Sequence, residues 1–569
     1  MGIKYFFSWL KTEFAQHMIH FKRTNVPDLN IDTFMIDLNG LFHNSAAKIY
    51  KYGNYENKGL LSRPRPEKVD YIKLQTDCFE DICKTIDNLL MVVKPKKSLV
   101  LCIDGVAPLS KQNQQRQRRY RGIVEDKDKR SNPNSFDPRS ITPGTKWMDY
   151  LSKYIDWYIR KKISTDQNWK ELDVYFSNEK VPGEGEHKLI NWIRKYGNDE
   201  DTYCINALDA DLVMLSLGTQ KRNFYLLREE LYDKTFEFTY VDIGKGLRKE
   251  ISNNLLYWDD SEEDQIIHDF ILILFLCGND FLPNIPSISL IDKGLSTIID
   301  MYKRCCAEKG HLVDMKGKIR LDSFTHFLYL LGQSEKSLLE DKWTHRSDYI
   351  REPLLEESMI HIEDPDTKTQ IDVLDFEGYK AAFYKKKGVE DIEKACHSYI
   401  DGCAWVLKYY LFGVEDWSYT YAYNYSPFAC DIAKHQSTFS FKEEKRIPPV
   451  SPFLQLLCVI PPKSSFLLPK PIDSILTSRG PLSRFFPDHF HINYEGKKKT
   501  WEGIVELPPV DVTVLKKELD RLYPLIEKTD MKRNVPGKTF LYRKSDFVAD
   551  VKSFYGNFKS NVSVEVVEF

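Results

Sequence analysis

The first 300 residues alternate short apolar runs with longer amphipathic ones, and acids end or follow several of the apolar runs. Phe34–Leu38, Ser98–Ile103, Leu172–Phe176, Tyr203–Ala207 and Phe224–Leu227 read as strands. Val69–Val92, Lys146–Lys161 and Lys188–Lys195 read as helices between them. Such alternation predicts an α/β fold with a mostly parallel twisted sheet flanked by helices. In sheets of that kind, ligands bind outside the carboxyl ends of the strands. Asp37 and Asp104 fall there, and Glu184, Glu186, Asp209 and Asp211 fall in the loops after the third and fourth strands; Asp280 ends an apolar helix.

Seven carboxylates in five separate stretches are a costly set to gather at buried strand ends unless cations offset their desolvation. Each acid alone is most simply a turn or cap residue. Together they predict a metal site. Mg²⁺ takes oxygen ligands and keeps several waters, so carboxylates from several strands suit a pair of such ions. Asp269, inside the apolar run Ile266–Cys277, is a further acid whose ordinary reading is a salt bridge to an arginine.

A basic segment follows Asp104 by seven residues. Between Lys111 and Arg130 there are eight Lys or Arg against three Asp or Glu, although the whole chain carries a formal charge of only −2. On a helix, Lys111, Gln115 and Arg118 share one face with Arg119 beside them. Ordinarily a charge run is a solvated face. Here Gln and Asn stand where acids would pair the cations, which leaves the face for an anion such as phosphate. His43 and the aromatics from Trp405 to Tyr425 are candidate stacking groups, though most aromatics in such a run are core.

The eleven cysteines lack C-x-x-C spacing and read as reduced, buried thiols without a disulfide framework. The opening is too short in apolar residues for a secretory signal, and His268-Asp269 interrupts the most apolar run. An intracellular protein without a membrane segment is expected, nucleus or cytoplasm unspecified. Residues 1–334 form the expected first region, which carries the sheet and the acids, 335–372 a charged connection, and 373–569 a second, mainly helical and irregular lobe with Pro-rich connections.

Ordered motifs then point to a family. Asp37-Leu-Asn-Gly-Leu-Phe-His43, Ile103-Asp-Gly-Val-Ala-Pro108, Asn113-Gln-Gln-Arg-Gln-Arg-Arg119, Val181-Pro-Gly-Glu-Gly-Glu-His-Lys188, Leu208-Asp-Ala-Asp-Leu212 and Gly278-Asn-Asp-Phe-Leu-Pro283 are similar to the first conserved region of the Xrn 5′→3′ exoribonucleases. Trp405-Val-Leu-Lys-Tyr-Tyr410 and Gly496-Lys-Lys-Lys-Thr-Trp-Glu-Gly503 resemble the second. The resemblance covers nearly the whole chain apart from the charged connection and the last twenty or so residues. It departs from the pattern at Ala422, where proline is common, and at Asn424, where histidine is common.

The resemblance implies a PIN/flap-nuclease-like sheet and a second lobe buttressing the active site. It implies two Mg²⁺ ions, with Mn²⁺ able to substitute, on Asp37, Asp104, Glu184, Glu186, Asp209, Asp211 and Asp280, with Asp269 a candidate outer member. Lys111, Gln115, Arg118 and Arg119 would take a 5′-monophosphate, while His43 and Trp405 would stack the first bases of single-stranded RNA. The rivals are a flap-type 5′ DNA nuclease, for which no clear helix–hairpin–helix module is present, and a catalytically silent scaffold binding RNA 5′ ends.

Overall fold

Both faces of the central sheet are covered, which is why its parallel strands are apolar almost without interruption. The computed structural model describes residues 2–3, 5–55, 70–126, 136–206, 209–230, 235–255, 262–288, 294–346, 350–363, 368, 370–441, 445–477 and 480–569. Seven strands come from the first half: β1 (Met18–Phe21), β2 (Thr33–Asp37), β3 (Ser98–Cys102), β4 (Asp173–Ser177), β5 (Tyr203–Asn206), β6 (Phe224–Glu229) and β7 (Phe238–Asp242). Two small hairpins follow, β8 (Met359–Glu363) with β9 (Gln370–Leu374), and β10 (His491–Asn493) with β11 (Ile504–Glu506). The last strands are β12 (Thr539–Val551) and β13 (Phe558–Val567).

The large sheet has the order β1-β7-β6-β5-β2-β3-β4-β12-β13. Its centre, β6-β5-β2-β3-β4, is parallel, and both flanks are antiparallel. The chain runs outward from β2 through β3 to β4, then returns to place β5 on the other side of β2. That reversal puts a crevice at the carboxyl ends of β2, β3 and β5, the usual ligand position in such a sheet.

The five expected strands all occur, displaced by at most two residues at an end; Ala207 and Val69 lie outside the described residues. Alternation along the strands sorts the core. Met35, Val100 and Ile205 face one hydrophobic cluster, while Phe34, Ile36, Leu99, Leu101 and Cys204 face the other.

The helices that matter for the site are α1 (Leu38–Tyr50), α2 (Tyr71–Val93), α3 (Leu109–Asp126), α4 (Lys146–Thr165), α5 (Gly185–Tyr196), α6 (Asp211–Leu217), α7 (Glu263–Phe275), α8 (Leu321–Thr344) and α9 (Ile392–Phe412). On α9, Cys396, Tyr399, Ile400, Cys403, Val406, Leu407 and Tyr410 recur at three- and four-residue intervals and are all buried in the same cluster as α7. The second region thus shares a core with the large sheet.

The charged connection is partly regular, since α8 runs to Thr344 and β8–β9 forms a hairpin; 347–349, 364–367 and 369 lie outside the described residues. β12 and β13, from the far end of the second region, add two strands to the large sheet beside β4. Sequence alone gives no sign of this, because antiparallel edge strands follow no crossover helix. All eleven cysteines are free, nine of them buried and two partly so. No described helix is long and apolar enough to cross a membrane.

Candidate active site

Asp37 ends β2 and caps α1, its Oδ1 accepting from the Asn39 amide at 3.2 Å. Asp104 stands two residues beyond β3. Its Oδ2 accepts from Asn39 Nδ2 at 2.8 Å, and its Oδ1 from the Gly185 amide at 2.6 Å. A Cβ on residue 185 would lie 2.4 Å from Asp37 Oδ1 and 3.4 Å from Asp104 Oδ1. Glycine is therefore what lets the segment carrying Glu184 and Glu186 close onto the ends of β2 and β3. Gly2, with φ +50°, packs against Asp211 in the same way, a Cβ there lying 1.7 Å from Oδ1.

The seven acids form one electrostatic group. Burial raises Asp37 well above the usual carboxylate range, and Asp104, Asp209 and Glu184 raise it further. Glu186 is raised likewise by burial, with Asp211, Glu184 and Asp209 adding to the effect. Burial and then Asp280 push Asp211 up to about 7. Asp280 is buried too, but the Lys111 ammonium overrides that and holds it down at about 2. Lys111 Nζ lies 2.5 Å from Glu184 Oε2 and 2.9 Å from Asp280 Oδ2. The lysine expected in the anion pocket therefore contacts the acids, at the inner end of α3. Lys188 adds a second buried ammonium, donating to the carbonyls of Ile103 at 2.7 Å and Asn178 at 2.9 Å.

An all-oxygen donor set, raised carboxyl pKa values and a buried Asp211 Oδ1 without a hydrogen-bond partner among the described residues together fit hard divalent cations. Asp269 does not belong to this group. Its carboxylate is fully buried and receives Tyr302 Oη at 2.7 Å, the Leu312 amide at 3.2 Å and the Val313 amide at 2.7 Å, with His311 Nδ1 at 2.8 Å. Its partner is a histidine, not an arginine. Asp269, Cys306 and His311 offer ligand atoms within 4.8 Å of one another. Tyr302, His311 and two backbone amides already satisfy the Asp269 carboxylate, which accounts for a buried acid in an apolar helix.

Helix α3 has two working faces. Arg116 donates to the carbonyls of Pro508 (2.7 Å) and Phe485, and Arg121 to those of Trp501 and Gly503 (2.7 Å). Asn113 donates to Thr420 Oγ1 at 2.6 Å and Gln117 to Asn424 Oδ1 at 3.3 Å, so the atypical Asn424 still meets α3. Two of the five described cations of the basic run thus tie α3 to the second lobe; residues 127–130 lie outside the described residues. On the other face, Gln115 Oε1 and Arg119 Nη1 are buried without hydrogen-bond partners among the described residues. Burial and the charges of Arg118 and Arg139 lower Arg119 to about 9. Two adjacent guanidiniums and an unsatisfied amide make a socket for an anion. His43 opens onto it, its ring exposed, its pKa lowered by the neighbouring protein and then by the charges of Arg118 and Arg119.

Trp405 is half-buried in an aromatic wall, stacked on Tyr419 at 4.9 Å and touching Tyr409 at 5.2 Å and Phe281 at 5.5 Å. Its Nε1 donates to the Asp416 carbonyl at 2.9 Å. The expected stacking residue is therefore next to the acids. Sequence reasoning missed Tyr409, whose hydroxyl donates to Glu184 Oε1 at 2.8 Å. The available signal was its spacing, one helical turn beyond Trp405.

Comparison with known proteins agrees in extent with this architecture. A family model described as the XRN 5′-3′ exonuclease N-terminus matches residues 1–230, and one described as the Xrn1 helical domain matches 260–373 and 356–566. Human 5′-3′ exoribonuclease 1 is 29% identical, with 94% of this chain aligned to 35% of that protein. Drosophila melanogaster 5′-3′ exoribonuclease 2 homolog is 27% identical over 95% of this chain and 73% of its own length. The Saccharomyces cerevisiae 5′-3′ exoribonuclease 1 is 26% identical, covering 95% and 44% respectively. Among solved structures, the catalytic core of Rad2 in complex with a DNA substrate aligns at 14% identity and a TM-score of 0.32, over 76% of this chain and 93% of that one. With both models matched in order along most of its length, the chain belongs to the XRN 5′-3′ exonuclease family.

Proposed function

We propose that this protein is a 5′→3′ exoribonuclease, hydrolysing single-stranded RNA from a 5′-monophosphate end and releasing nucleoside 5′-monophosphates processively. The observation that carries the reading is one helix: α3 delivers Lys111 to the acid cluster and Gln115 and Arg119 to the adjoining socket. The names of the relatives support RNA as the substrate.

In this reading Gln115, Arg118 and Arg119 grip the terminal phosphate, so that the next phosphodiester falls at the acids and the cut comes after one nucleotide. Asp37, Asp104, Glu184, Glu186, Asp209, Asp211 and Asp280 would hold two Mg²⁺ ions, which Mn²⁺ replaces. Bound there, such ions supply Lewis-acid stabilisation of phosphoryl charge and acidify the attacking water. Lys111 and Lys188 neutralise part of the surplus negative charge. His43 stays neutral above its low pKa, and with Trp405 it offers stacking faces that retain the strand after each product leaves.

The test is digestion of 5′-monophosphorylated RNA, 5′-hydroxyl RNA and a 5′ DNA flap, each with Mg²⁺ and with EDTA. Mononucleotides should appear only from the first substrate and only with Mg²⁺. Faster cleavage of the flap, or RNA binding without turnover, would overturn the proposal.

A further inference from the structure

We propose that Tyr409, on the second-region helix α9, is a positioning residue that orients Glu184 toward the cations and so makes metal affinity a property of both lobes. The inference rests on the metal-site reading above.

Glu184 occupies the N-cap position of α5, yet its side chain makes no hydrogen bond to that helix. It is turned instead toward the acid cluster. A carboxylate's terminal torsion is broad and intrinsically ill-defined, so something outside the helix has to fix it. Tyr409 supplies that constraint: its hydroxyl donates to Oε1 at 2.8 Å, while Oε2 faces Lys111 at 2.5 Å. Both oxygens are thus held by the protein, Oε1 by the second-lobe tyrosine and Oε2 by the Lys111 ammonium, which itself lies against the acid cluster at Asp280.

The tyrosine is itself held rigidly. It is 2% exposed, and its ring lies flat on His187, 3.7 Å away with an interplanar angle of 2°. His187 immediately follows Glu186, so the stack touches the second glutamate's backbone neighbour. Phe281, beside Asp280, meets the same ring edge-on at 5.7 Å. Farther along, Arg194 of α5 donates to the Tyr410 carbonyl at 2.7 Å, so both ends of α5 are tied to the last turns of α9. One residue of the second lobe therefore contacts Glu184 directly and braces the segments carrying Glu186 and Asp280. Hydrogen-bond partners of metal-ligating carboxylates fix ligand orientation, and losing one commonly costs 10–100-fold in metal affinity.

Mn²⁺ binding measured by calorimetry, in the full chain without RNA, tests this with four proteins: wild type, Tyr409→Phe, Glu184→Gln and the double variant. Tyr409→Phe keeps the ring and its stack. It should weaken Mn²⁺ binding about 10- to 100-fold and raise the half-saturating Mg²⁺ for hydrolysis in proportion. kcat at saturating metal should stay near the wild-type value, as should affinity for 5′-monophosphorylated RNA in EDTA. In the Glu184→Gln background the same change should have almost no effect, because the pair acts as a unit. Unchanged Mn²⁺ affinity in Tyr409→Phe, or an equal loss in both backgrounds, would overturn the proposal. So would a metal-free Tyr409→Phe protein that fails to fold, since the tie would then serve the fold. A wild type that binds no Mn²⁺ would sink the metal reading itself.

Discussion

Asp211 and Asp280 are chemically alike and lie in one cluster, yet one is raised to about 7 and the other held at about 2. Burial acts on both; the difference is the Lys111 ammonium, in contact with Asp280 and not with Asp211. Arg118 and Arg119, with the neutral Gln115 amide beside them, make a second local contrast, cations with no carboxylate ion pair among the described residues. Because a charge-assisted hydrogen bond is worth about 1.5–3 kcal/mol, Arg119→Ala should reduce the preference for 5′-monophosphate over 5′-hydroxyl RNA by about 10- to 100-fold. Competition between the two RNAs in a single digest measures that directly, and an unchanged ratio would move the phosphate socket elsewhere. The acids were readable beforehand because each ends or follows a regular element. Tyr409 and the position of Lys111 were not, since both depend on side chains more than 150 residues apart meeting in space.

At the level of elements, α3 shows how one basic run is divided by a helix's geometry. Arg116 and Arg121 face the second lobe and satisfy four backbone carbonyls there, whereas Arg118 and Arg119 face the site. Sequence composition registers the charge but not which side it falls on. Arg116→Ala removes a buried guanidinium and strands two carbonyls. It should lower stability by about 2–3 kcal/mol in urea unfolding, and a loss below half that would mean water replaces the bonds. Helix α7 carries a different test. Burial lowers His268 to about 4, and its Nδ1 has no hydrogen-bond partner among the described residues. The unfolded chain takes up a proton near 6.5 while the folded one resists until about 4, so stability present above 6.5 drains away as the pH falls through that window. His311, raised by Asp269, has the opposite sign, its contribution being full below 6.5 and fading as the pH rises through its folded value. His268→Gln should flatten the acid limb of the stability profile by on the order of 2–3 kcal/mol. A limb of unchanged slope would assign the acid sensitivity to other groups.

Across the whole molecule, the division into a nuclease region and a second lobe blurs. The parallel centre of the sheet was legible, because parallel strands need crossover helices and the resulting alternation is visible in the apolar pattern. The antiparallel flanks carry no such mark. β12 and β13 come from the far end of the chain, and α9 enters the first region's core directly. Without β12 and β13, β4 would become an open edge beside apolar core, a template for intermolecular pairing. A chain truncated after Lys538 should therefore melt at lower temperature and elute as aggregates in size exclusion. A monomeric truncation with the full-length melting point would show that the two strands are dispensable to the sheet.

The hydroxyl of Thr539, opening β12, reaches Ser177, the last residue of β4, across 362 positions of chain. During synthesis the outer rim of β4 must wait for 362 further residues to be made before its neighbour arrives. Folding order is thereby tied to translation: a nascent chain carries an unfinished sheet, exposed to misassociation, throughout the synthesis of that intervening segment. The sheet is complete only once β12 and β13 have been made and docked beside β4.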